Sequence, residues 1–193
     1  LDMAWSAVHT ARNTYDWSEL DSLLAFAEQE NQVFTCKVSP IGVGAAGETM
    51  PTWMFDSNGG GVPSFSESGN GAAAYVYGYY LAPEFKVYFE EMVRALANHL
   101  PNEVPAYQQA RISFVRADTG ATGDEEPYEN PDLVPAQYQI SSADWQAYRL
   151  WVFELYRSAF QEGPGPVIPL LFQNIEKTGY PDEWQWVNDH VKG

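Results

Sequence analysis

The run Arg111-Ile-Ser-Phe-Val-Arg-Ala-Asp-Thr-Gly-Ala-Thr-Gly-Asp-Glu-Glu-Pro-Tyr128 reads as a buried strand emptying into a glycine-rich loop. The strand covers Arg111 to Val115, and the loop ends in three acids, Asp124, Glu125 and Glu126. Parallel sheets present their working side chains on loops that follow the carboxyl ends of strands. An acid cluster in that place is how a barrel enzyme presents a general acid. The flanking segments must therefore supply a parallel sheet.

Strand and helix patterns alternate on both sides of this run. Residues 2–8 read as a short strand. Asp16 to Glu30 reads as a helix, with Asp16 or Ser18 as its cap and Leu20, Leu23, Leu24 and Ala27 along one face. Val33 to Ser39 is a strand closed by Pro40 and Gly42. Pro83 to Leu100 is a helix with proline in its first turn and an apolar stripe of Phe85, Phe89, Met92, Val93, Leu96 and Leu100. Ala143 to Phe160 and Asp182 to His190 are helices, and Val167 to Phe172 is a strand between them. This order predicts parallel β/α units with right-handed crossovers.

Two connections, at about 42–81 and 117–141, show no periodicity. Loops of that length inside a compact domain are usually functional, and both are read as walls of a cleft. One domain over 1–193 is expected. Four strands do not close a barrel, which needs eight and roughly 250 residues. The chain is therefore either about half of a (β/α)8 TIM barrel or an open α/β sheet. No Gly-x-Gly-x-x-Gly loop follows any strand, which removes the dinucleotide-binding version of the open sheet.

A formal charge of -16 argues against a nucleic-acid partner and against an anionic membrane surface. No run reaches transmembrane length. Leu1-Asp-Met-Ala-Trp5 opens like the inside of a strand rather than a signal peptide, and the missing Met start suggests a processed chain, a cut one or an excised domain. The single cysteine, Cys36, excludes an internal disulfide and reads as a buried thiol. His9, His99 and His190 lack ligand spacing, and the acids lack the EF-hand pattern. No metal and no cofactor are expected. Many of the 7 tryptophans and 12 tyrosines lie near glycine and proline, and stacking on sugar rings is one explanation. No Gly-x-Ser-x-Gly elbow is present, which weighs against an α/β-hydrolase.

Four segments carry a resemblance. They are Tyr15-Asp-Trp-Ser-Glu-Leu-Asp21, Pro51-Thr-Trp53, Tyr80-Leu-Ala-Pro-Glu-Phe85, and the strand Ile112 to Val115 with its Gly-Ala-Thr-Gly-Asp-Glu loop. In this order they resemble the retaining glycoside hydrolases of the large (β/α)8 clan that includes β-galactosidases and agarases. The likeness spans about residues 2–175 and implies that the chain supplies barrel strands 2 to 5. Many members of the clan carry Asn-Glu at the end of the fourth strand, where this chain has Asp124-Glu125-Glu126. The clan's nucleophile follows the seventh strand, which lies outside this sequence.

The implied activity is cleavage of β-linked glycosidic bonds in a galactoside or a plant or algal polysaccharide. Retaining hydrolysis needs two carboxyl groups about 5–5.5 Å apart. Glu125 is the first choice for the acid, Glu126 the second and Asp124 the third; a solvated acidic loop is the competing reading. Trp53 is a candidate sugar platform or a rim-packing residue, and Trp5 a cleft floor or a core residue. Phe65 and Tyr128 are weaker candidates of the same kind. Gln173 and Asn174 end a strand and offer amides to sugar hydroxyls, or form a turn. Arg116 and Lys37 are candidates to orient a carboxylate. The implied partners are an oligosaccharide or polysaccharide and the remainder of the barrel or a complementary chain. The implied location is secreted or periplasmic. The alternatives are a noncatalytic carbohydrate-binding protein or degenerate barrel, and a structural α/β domain in which Trp53 lies far from the acidic loop.

Overall fold

The computed structural model describes residues 1–40, 50–56, 60–67, 75–121, 126–163, 165–175 and 177–191. Along the chain run β1 (Asp2–Ala4), α1 (Trp5–Val8), β2 (His9–Ala11), β3 (Thr14–Tyr15), α2 (Ser18–Gln29), β4 (Phe34–Ser39), β5 (Ser64–Glu67) and β6 (Tyr75–Gly78). They are followed by α3 (Pro83–Glu103), α4 (Ala106–Gln109), β7 (Ile112–Arg116), α5 (Ser142–Phe160), β8 (Leu170–Leu171) and α6 (Pro181–His190).

The centre is a four-stranded parallel sheet in the order β1-β4-β7-β8. Parallel neighbours need a crossover, and α2, α3 with α4, and α5 supply the three that join these strands. The strands lie side by side in chain order. A doubly wound sheet reverses direction at a switch point, and no reversal occurs among these four. Among the described residues the sheet is open, with β1 and β8 at its edges.

The two faces differ in chemistry because successive strand residues point to opposite sides. Met3, Cys36, Val38 and Val115 are buried and join Leu20, Leu24, Leu96, Val152 and Tyr156 in one apolar cluster beneath the helices. The other face carries charge. Register pairs Asp2 with Lys37 and Arg116 with Leu171, and it places Lys37 beside Arg116. Asp2, Lys37, Arg116 and Leu171 thus form one row across all four strands.

Three elements differ from the sequence expectation. Residues 2–8 are a strand only as far as Ala4, and Trp5–Val8 turns helical. The strand expected over 167–172 contracts to Leu170–Leu171, because Pro166 and Pro169 have no N–H to pair. Within 42–81, β5 and β6 form an antiparallel hairpin, and Thr52–Phe55 is a turn of 3-10 helix. The helices stand where periodicity put them. Asp16 Oδ1 accepts from the Ser18 amide at 3.0 Å at the start of α2. Ser141 caps α5 by accepting from the Asp144 amide.

Candidate functional site

A cavity of about 460 Å³ opens at the carboxyl edge of the sheet. Its walls are Glu126, Pro127, Tyr128, Pro131, Asp132, Val134, Gln139 and Ile140 from the connection after β7, Ser142 and Trp145 from α5, and Tyr180 from the connection after β8. Both connections leave the carboxyl ends of parallel strands, where open and closed β/α folds place their sites. The volume lies within the roughly 300–1,000 Å³ of small-molecule sites.

The loop is held from below by aromatic packing. Tyr128 is buried edge-on against Phe65 and Tyr77 of the β5–β6 hairpin, with ring centres 5.0 and 5.2 Å away. Phe65 also stacks on Tyr138 at 5.1 Å, and the Tyr77 hydroxyl accepts from the Glu129 amide at 3.3 Å. The two long connections therefore brace each other. Ala121 and Glu126 pair as an isolated antiparallel bridge, which ties the acidic end of the loop back to its start. Gly120 makes this approach possible. A β-carbon there would stand 2.6 Å from the Glu126 carbonyl oxygen and would overlap the Trp145 indole. The Trp145 ring is fixed in turn by stacking on Tyr148 at 4.9 Å and by its edge contact with Tyr80.

Of the residues chosen from sequence, this cavity gathers Glu126, which is exposed, and Tyr128. Asp124 and Glu125 lie outside the described residues. Trp53, Trp5, Phe65, Arg116, Gln173 and Asn174 do not line it. Trp5 is wholly buried, edge-on between Phe85 and Phe89, and has no surface to offer a sugar. Trp53 is half-buried and donates its indole N–H to the His9 carbonyl at 2.9 Å. The buried His9 ring stacks on Tyr15 and meets Trp53 edge-on. Its Nδ1 accepts from Trp5 Nε1 at 3.1 Å, so the neutral ring carries its proton on Nε2. Burial lowers the His9 pKa to about 4.

Gln173 and Asn174 meet a basic group through their backbone. Arg149 Nη2 donates to the Gln173 carbonyl at 2.8 Å and reaches the Asn174 carbonyl at 3.5 Å. Asn174 adopts φ 54°, a left-handed turn that asparagine tolerates. The Arg149 guanidinium lies over the Tyr180 ring, 5.2 Å from its centre. It also faces Glu183, with Nη1 3.3 Å from Oε2 and both side chains wholly buried. Burial pushes the Glu183 pKa up to about 7 against the pull of Arg149.

Arg116 and Lys37 both pair with the carboxylate of Asp118, a residue that sequence reasoning passed over. Lys37 Nζ sits 2.8 Å from Asp118 Oδ2 and 3.0 Å from Asp2 Oδ2, and Arg116 Nη2 sits 3.3 Å from Asp118 Oδ1. The Asp118 side chain is only 3% exposed. Partial burial pulls the Lys37 pKa down, but attraction and hydrogen bonding to Asp118 and Asp2 outweigh it and leave the pKa raised. The available signal was position: Asp118 stands two residues past Arg116 at the strand end, where extended chain would put it on the same face.

Among the described residues, no group of three or more His, Cys, Asp or Glu side chains is placed to hold a metal ion. No described helix is long and apolar enough to cross a membrane. Comparison with known proteins finds no family model that matches the chain and no match among curated proteins.

Proposed function

We propose that the chain is part of a (β/α)8 glycoside hydrolase that cleaves β-linked bonds of a galactoside or of a plant or algal polysaccharide. The acid comes from Glu125 or Glu126, and the cavity after β7 and β8 receives the sugar. One observation carries this reading: Glu126 stands on the wall of a sugar-sized cavity at the carboxyl edge of a parallel sheet whose strands run in sequential order. Hydrolysis requires the acid to protonate the leaving oxygen while a second carboxylate attacks the anomeric carbon. The remainder of the barrel, in the same chain or a complementary one, supplies that second carboxylate. Such an enzyme would act outside the cytoplasm, in the periplasm or after secretion.

The test is turnover of β-linked oligosaccharides by the native protein and its Glu125→Gln and Glu126→Gln variants. One substitution is expected to lower kcat/KM on unactivated glycosides by about 10²–10⁴-fold. The loss should be much smaller on aryl glycosides, whose leaving groups need little protonation. Undiminished turnover in both variants would remove this loop as the source of the acid. A noncatalytic sugar-binding role is the second reading, favoured by the Gln139 amide and the half-buried Tyr180 ring on the cavity wall. It predicts saturable sugar binding with no turnover in the native protein.

A further inference from the structure

Three aromatic rings line the cavity after β7 and β8: Tyr128, Trp145 and Tyr180. Tyr128 and Trp145 are buried and enclosed by other rings, Tyr128 by Phe65 and Tyr77 and Trp145 by Tyr80 and Tyr148. Tyr180 is half-buried, and of the three it is the ring with surface to offer. We propose that the sugar stacks on Tyr180 and that Arg149, buried against this ring, is the positioning residue that fixes it. Both roles rest on the sugar-binding reading of this cavity.

Tyr180 needs support from outside its own segment. It is the residue before α6, with φ -130° and ψ 68°, at the end of the connection that follows β8. Glu183 is the one fully buried residue of α6, and it is polar. Trp186 meets Phe153 and Phe172 but is only half-buried. The support comes from α5. Arg149 is wholly buried and stands one turn after Trp145, on the same face of that helix. Its guanidinium meets the segment at three places. Nη2 donates to the Gln173 carbonyl at 2.8 Å, Nη1 lies 3.3 Å from Glu183 Oε2, and the central carbon lies over the Tyr180 ring, 5.2 Å from its centre. The start of the connection, the ring at its end and the first turn of α6 are thus tied to one rigid group. Helix α5 builds part of the cavity directly, through Ser142 and Trp145, and another part through Arg149.

The same contact selects a face of the ring. Arg149 has no exposure, so the face it covers is the inner one. The outer face is left for a ligand. A pyranose carries C–H bonds on its flat sides, which pack on an aromatic face, while its hydroxyls need polar partners. Gln139 and Ser142 line the same cavity and carry an amide and a hydroxyl. Lysine could not replace Arg149. It offers a point charge on a flexible stem, whereas three simultaneous contacts need a planar fork.

The experiment is calorimetric titration of the native protein, Tyr180→Leu, Arg149→Lys and the double variant. The probes are thio-linked, hence uncleavable, β-galacto-, β-gluco- and β-manno-tetraoses. Each single variant is expected to weaken the bound sugar by about tenfold or more. The double variant should bind no more weakly than Tyr180→Leu, because Arg149 acts through that ring. A role in stability alone would leave affinity unmoved in Arg149→Lys or lower it again in the double variant. With 3-fluorotyrosine incorporated, ¹⁹F NMR reads the ring without any sugar. The Tyr180 resonance, identified by its loss in Tyr180→Leu, should move in Arg149→Lys towards that of free fluorotyrosine. Tyr180 is half-buried at a helix end, so Tyr180→Leu is expected to fold. If Arg149→Lys does not fold, the contact is read from the other side: the Arg149 Nε–H resonance should lose its ring-current shift in Tyr180→Leu. Unaltered affinity in either single variant, a further loss in the double variant, or an unmoved resonance in either NMR measurement overturns these roles and leaves a sugar-binding cavity. No binding of any tetraose by the native protein overturns the sugar reading and these roles with it.

Discussion

At the scale of single residues, Asp118 is the most consequential side chain outside the cavity. It closes a charge network that spans three strands, through Lys37 on β4 to Asp2 on β1 and through Arg116 on β7. Each cation here is more than three-quarters shielded from water. Removing one member of such a pair costs more than the pair contributes, because the other charge remains buried. Asp118→Asn is expected to destabilise the fold by about 3–5 kcal/mol in urea unfolding. A change within 0.5 kcal/mol would show that Lys37 and Arg116 relax into water instead. The network also explains why Arg116 and Lys37 were legible in the sequence while their partner was not. A lone basic residue inside an apolar strand is conspicuous, whereas Asp118 sits in Ala-Asp-Thr-Gly, which reads as the first polar residues of a loop.

At the scale of elements, the helices and the parallel strands were legible and the antiparallel strands β2, β3, β5 and β6 were not. Amphipathic spacing over α2, α3 and α5 survives into the structure because each helix buries one stripe. The strand expected over 167–172 survives as β8, whereas a four-residue hairpin strand such as β5 carries too few positions to show a period. The candidate aromatic residues were legible as a set but not in their individual roles. Trp5 and Tyr128 look alike in composition to exposed sugar platforms and are instead buried by their neighbours. The contact between α5 and α6 was invisible in the sequence, since Arg149 and Glu183 are 34 positions apart and each falls on a helix that also carries exposed charge. That pair makes stability depend on pH. Glu183 has a pKa raised from 4.5 to about 7 in the folded state, so the folded chain holds this proton more tightly than the unfolded one. Its contribution is therefore fully favourable below pH 4.5 and is lost as pH rises through about 7. The loss amounts to as much as about 3 kcal/mol. Urea unfolding at a series of pH values, for the native chain and Glu183→Gln, isolates the effect. The difference between the two proteins should change across about pH 5–8 and be flat above it; a constant difference would mean that Glu183 does not titrate in that window.

At the scale of the whole molecule, the sheet is built as though its charged face were an interior. A sheet that faces water on one side is normally antiparallel, while parallel sheets are covered on both faces. Here helices cover one face, and the other presents the row Asp2, Lys37, Arg116 and Leu171, with only part of it shielded. Both edges are short, at three and two residues, and among the described residues neither has a strand partner on its outer side. In a closed barrel these edges would pair and the row would turn inward. Amide hydrogen exchange separates the two states, because protection follows pairing. Interior β4 and β7 should exchange slowly in either case. If the native assembly completes a barrel, as the hydrolase reading requires, the amides of β1 and β8 should approach the protection of β4 and β7. Exchange at both edges that stays fast in the native assembly, at concentrations where it is fully formed, would leave an open sheet. The second carboxylate would then have no strand to stand on, and the cavity beside Glu126 would be a place for binding sugar rather than for cleaving it.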